Sequence, residues 1–143
     1  MENDTVRLLR ECNAGTKMGE DAIKKVLPHV KDTELKNSLE VCKSTHAALG
    51  DETHELLLKN KSDTKDPHPI ARAMSSMKIS MKLMLHDSDK TVADVMTDGC
   101  DMGIKSLTKY LNEYKSADKS SRDMAKKIIA SEEYLENKMR PFL

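Results

Sequence analysis

Between residues 35 and 56 the chain alternates steps of four and three. Leu35, Leu39, Cys42, His46, Leu49, Thr53 and Leu56 fall on one line, and Lys36, Asn37, Lys43, Ser44, Asp51 and Glu52 surround it. This spacing predicts an amphipathic helix with a narrow apolar seam and a solvated back, an element of a helical bundle. The same reading along the chain predicts five helices, over residues 4–27, 33–60, 70–86, 89–115 and 121–140 of a single domain spanning 1–143. Asn3 or Asp4 caps the first, whose seam is Leu8, Cys12, Gly15, Gly19, Ala22 and Val26, and Pro28 ends it. Asp32 caps the second, so the short link after Pro28 makes an antiparallel hairpin. The fourth helix carries Met96, Cys100, Gly103, Leu107, Tyr110 and Tyr114 inward, and the fifth carries Met124, Ile128, Ser131 and Leu135.

Between the hairpins runs the polar stretch 61–69, with two prolines, followed by a shorter third helix. Ile70, Met74, Met77, Met81 and Met84 share one face of it and Lys78 and Lys82 the other. Methionine adapts to irregular gaps, so the stripe is expected to pack against a neighbouring helix on the outside of the bundle. Its other reading is a docking surface at Met74, Met77 and Met81.

Composition narrows the possibilities. Lys plus Arg and Asp plus Glu both number 24, which leaves no net field to draw nucleic acid or an anionic membrane. No apolar run approaches the roughly 20 residues a bilayer requires. Met1-Glu2-Asn3-Asp4 does not resemble the start of a signal peptide. Three cysteines, all on seams, lead us to expect reduced thiols and a cytoplasmic protein.

Cys12-Asn13-Ala14-Gly15-Thr16-Lys17 and Cys100-Asp101-Met102-Gly103-Ile104-Lys105 share the pattern Cys-x-x-Gly-x-Lys at an offset of 88 residues. With the Lys31-Asp32-Thr33-Glu34-Leu35-Lys36 start of helix two and the crossover helix, this layout resembles the ferritin-like proteins. More closely it resembles a small bacterial ferritin-like family known as a domain of unknown function. The resemblance spans nearly the whole chain. It implies an all-α four-helix bundle of two hairpins with an additional short crossover helix, and no established activity.

Metal-binding ferritin-like proteins place a Glu on each of two helices and a Glu-x-x-His on each of the other two, all inward. Here Thr16 and Ile104 stand where an acid would follow each glycine, and no Glu-x-x-His occurs. The nearest match, Asp51-x-x-His54, lies off the seam. Leu135 holds in the last helix the place of His46 in the second, and of Glu132, Glu133 and Glu136 only Glu132 flanks the seam. We therefore expect no di-iron centre, no cofactor and no catalytic residue.

Folding helix one onto helix two about residue 29 or 30 sets Cys12 level with His46 and Thr16 level with Cys42. On that register His46 is expected to be neutral, bonded to Thr16, a backbone carbonyl or a buried water. A soft metal on His46, Cys12 and Cys42 would lack a fourth ligand unless Cys100 or water supplied it. Activation of a thiol by His46 would need a more exposed setting. Gly15, Gly19 and Gly103 are expected to let helices approach closely. The function expected is non-catalytic: binding an unidentified protein partner, or self-association as a dimer. The alternatives are a metal-binding or oxidative-stress protein centred on His46, and a small-molecule carrier using the space above the three glycines.

Overall fold

Four side chains start the four long helices. Asn3 accepts the amide of Val6 (2.9 Å), Asp32 that of Leu35 (2.9 Å), Ser88 that of Thr91 (3.2 Å) and Asp118 that of Ser121 (2.8 Å). Each satisfies a donor that the first helical turn leaves without a partner. The computed structural model describes residues 3–62 and 69–143, with nothing described of the side chains at 69 and 70. Most of the stretch read as a linker, including His68, and the inward placement of Ile70 therefore lie outside the described residues.

Those residues form α1 (Asp4–Val26), α2 (Thr33–Lys59), α3 (Pro69–Leu85), α4 (Asp89–Glu113) and α5 (Lys119–Met139), with 3-10 turns at Leu27–His29 and Arg140–Phe142. The fold is all-α, with no strand among the described residues. Helix ends differ from those read off the pattern by one or two residues, where caps and final turns decide the boundary.

The four long helices pack α1 on α2, α2 on α5, α5 on α4 and α4 on α1, with α1 also touching α5. Contacts at the two ends set their directions. At one end, Asp89, the first residue of α4, accepts the amides of Lys31 (2.8 Å) and Asp32 (3.0 Å) in the α1–α2 turn. At the other, Asp4, the first residue of α1, accepts the amide of Ser116 (3.0 Å), and Thr5 Oγ1 accepts that of Asp118 (2.8 Å) in the α4–α5 turn. Neighbouring helices are thus antiparallel, and α2 runs parallel to α4. The chain returns along the array through α3, which lies on α1 and α4.

Two corrections to the sequence reading follow from packing. The methionines of α3 do not fill a gap: Met74, Met77, Met81 and Met84 are 60–86 % exposed. Ile79 and Leu83, on the opposite arc, enter the core with Ile23, Val26, Val92 and Met96. The sequence offers two apolar arcs on this helix, and burial takes the one with the compact branched side chains.

The glycines also divide. A Cβ on Gly15 or Gly99 would meet nothing within 4 Å, so neither provides close approach. Gly15→Ala and Gly99→Ala should each stabilise the protein by about 0.5–1 kcal/mol, because alanine restricts the unfolded chain and favours helix. Urea midpoints of the two variants against wild type check this.

Candidate functional site

Where the middles of the four long helices meet, the core is polar. His46 of α2 is 1 % exposed and Glu132 of α5 is 7 % exposed. The imidazole Nε2 lies 2.9 Å from Glu132 Oε1, and Nδ1 lies 3.0 Å from the carbonyl oxygen of Cys42 one turn back. Both ring nitrogens thus face acceptors, an arrangement that the doubly protonated ring satisfies in full. Burial alone lowers the His46 pKa. Hydrogen bonds with Cys42 and Glu132, and their charges, outweigh that and raise it to about 10. Geometry and electrostatics together favour a buried imidazolium–carboxylate pair over the neutral histidine expected from the sequence.

The thiols complete the surroundings. Cys42 Sγ is 3.3 Å from His46 Nδ1 and 3.9 Å from the Ser131 hydroxyl. Cys100 of α4 is buried beside Glu132, and burial followed by the Glu132 charge raises its pKa strongly. Cys12 is pushed up to about 12 by burial and by Glu11. All three cysteines are free and buried. They should therefore resist a water-soluble disulfide reagent at pH 8 and all react once the chain is unfolded in guanidinium. Absorbance of the released thiolate counts them.

A glycine makes the space for the imidazole. A Cβ on Gly19 of α1 would sit 2.6 Å from His46 Cδ2 and 2.8 Å from Nε2. On Gly103 of α4 it would sit 3.4 Å from the Glu132 carboxyl carbon, an ordinary van der Waals contact. Each hairpin therefore supplies a glycine on its first helix and a charged residue on its second, and the charged residues meet between the hairpins. The gaps proposed for a carried molecule at these two glycines hold the imidazole and the carboxylate.

The partner of His46 is thus not the one that the sequence places opposite it. Cys12 packs in another part of the core, with Leu8, Leu107 and Ile128, and Gly19 takes the position expected for it. Thr16 lies against Gly50 and donates to the carbonyl of Asn13 (2.9 Å), so it meets neither Cys42 nor the imidazole. The reason is the length of the turn. The chain continues beyond α1 as the 3-10 turn Leu27–His29, and Val30 and Asp32 are extended, which moves the point of reversal two to four residues toward α2. The expected backbone carbonyl is present as that of Cys42. A signal for Glu132 did exist: Ile128, Glu132 and Leu135 repeat the step of four and three that marks the other seams.

The internal symmetry is also out of register with the Cys-x-x-Gly-x-Lys alignment. Asp4 and Asp89, Gly19 and Gly103, and His46 and Glu132 play matching roles at offsets of 84–86 residues, whereas the alignment implies 88. Cys12 and Cys100 accordingly lie in different parts of the core.

Among the described residues, no group of three or more His, Cys, Asp and Glu is placed to hold a metal ion, His46, Cys12 and Cys42 included. No buried side-chain nitrogen or oxygen among them lacks a hydrogen-bond partner. Asp51 and His54 are exposed on α2. None of the described helices is long and apolar enough to cross a membrane. Clefts of about 240 and 340 Å³ lie on the outside of α1, around Arg72 of α3, which binds Asp21 (2.5 Å). Comparison with protein-family models, with characterised proteins and with solved structures finds no match to this chain. Fold and site together define an all-helical protein with a self-satisfied ion pair at its centre.

Proposed function

We propose that the protein is a non-catalytic, ferritin-like helical bundle that acts by binding protein through the outer face of α3. The path of the chain supports the ferritin-like reading: two antiparallel hairpins joined by a long crossover. The polar cluster supports it too. It stands among facing helices, where such bundles hold metal, and the His46 imidazolium supplies the positive charge that Glu132 requires. With both ring nitrogens directed at protein acceptors, the pair serves the fold, and a metal-binding role centred on His46 has less to support it. Three buried free thiols suit a reducing cytoplasm.

One observation carries the binding role. Met74, Met77, Met81, Met84 and Leu85 form a continuous outward face, 60–86 % exposed, on a helix whose other face is already buried through Ile79 and Leu83. A helix apolar on opposite sides ordinarily has both sides covered. The test is affinity capture with tagged wild type and a tagged Met77→Lys/Met81→Lys variant of equal thermal stability, each co-expressed with untagged chain. A partner, or the untagged chain itself, retained by wild type and lost by the variant supports the proposal. Identical recoveries overturn it.

A further inference from the structure

We infer that the outer face of α3 pairs with the same face of a second copy, the two helices antiparallel and Met77 of one against Met81 of the other. The inference rests on the reading of that face as the binding surface and adds the identity of the occupant. Its first support is the spacing. Met74, Met77, Met81 and Met84 are separated by three, four and three residues, an order that reads the same from either end. A twofold rotation centred at the level of residue 79 exchanges Met74 with Met84 and Met77 with Met81, so the stripe is complementary to itself. A closed twofold interface requires that property of its surface, and an unrelated partner does not.

The second support is charge. A twofold axis at this site brings the same flank of both helices to one side, which would oppose lysine to lysine. Of Lys78 and Lys82 on that flank, Lys82 is already balanced within its own chain by Asp94 (3.3 Å) and Asp98 (3.4 Å) of α4, which halves the charge brought together. The third is size. Five side chains exposed to this degree along α3 would bury on the order of 1,000 Å² in total, the lower bound of a specific interface and the size of a weak, reversible dimer.

Sedimentation velocity of the full chain from low micromolar to submillimolar concentration should show a monomer passing to a dimer. The Met77→Lys/Met81→Lys variant, which alters only exposed positions, should retain its melting temperature and remain monomeric throughout. Oxidative cross-linking then tests the geometry, because the native thiols are buried. A mixture of Met77→Cys and Met81→Cys chains should yield several-fold more mixed disulfide than either gives of its own homodimer. Excess homodimer would mean a parallel arrangement and overturn the inference, as would wild type that stays monomeric at every concentration. In that last case, a captured partner still lost on Met77→Lys/Met81→Lys would leave the proposed binding face standing with a different protein upon it. Loss of both signals would remove the two together.

Discussion

Glu132→Ala should cost the protein about 3–5 kcal/mol, the penalty for leaving one member of a buried ion pair without the other. His46 would keep the Cys42 carbonyl but lose the only carboxylate hydrogen-bonded to it among the described residues. At about 3 °C per kcal/mol for a chain of this size, the melting temperature should drop by roughly 10 °C or more. The pH dependence should change with it. In wild type the His46 pKa stands near 10 in the folded state against an ordinary value of 6.5. Its contribution is therefore complete below pH 6.5 and is lost as pH rises through about 10, at up to about 1.4 kcal/mol per pH unit. Without Glu132 the folded pKa falls and this slope flattens. Urea unfolding of both proteins between pH 6 and pH 10 checks size and slope together. Equal slopes would refute a charged His46. A His46→Leu/Glu132→Leu double variant should recover much of the lost stability, since well-packed hydrocarbon commonly replaces a buried pair at little cost.

Gly19→Ala, an addition of a single methyl group, should destabilise by about 2–4 kcal/mol. The new Cβ would lie 2.6 Å from the imidazole, and the ring is held at both nitrogens and cannot retreat without releasing Glu132 or the Cys42 carbonyl. Gly15→Ala, one helical turn earlier, should act in the opposite direction, because nothing lies within 4 Å of the added atom. The sign difference between neighbouring glycines on one helix separates steric accommodation of His46 from helix propensity, which is the same at both. Paired thermal melts, with the His46 ring proton shifts followed by NMR, distinguish the two. Gly19→Ala with unchanged stability and an unmoved His46 resonance would show that the imidazole has room to spare.

Both predictions concern residues that the chain itself marks only in part. The five helices are legible because their periodicity is sustained over many turns, and the starts of the first two because Asn3 and Asp32 can each accept an amide within the same turn; Asp118, the cap of α5, lies in a stretch read as a turn. Such interactions act over three or four residues, within reach of local reading. His46 stands out for a similar reason, as a polar residue on an apolar seam. Its partner does not. Glu132 is 86 residues away, and identifying it requires knowing which hairpin faces which. The register of the first hairpin turns on a few residues: the 3-10 turn around Pro28 and the extended Val30 and Asp32 displace the reversal by about one helical turn. One turn suffices to replace Cys12 by Gly19 opposite the imidazole.

The sequence by itself determined the helices, the caps of the first two, the antiparallel pairing across short turns and the residue that would be unusual in the core. Only the tertiary structure decided the charge of that residue, since an imidazole is neutral or cationic according to what lies against both its nitrogens. It alone decided which glycines are structural, because close approach depends on the opposing helix. And it decided which apolar arc of α3 is covered, since Ile79 and Leu83 gain a core to enter while the methionines face outward. Local periodicity records that a face is apolar; the packing of distant segments determines what, if anything, meets it.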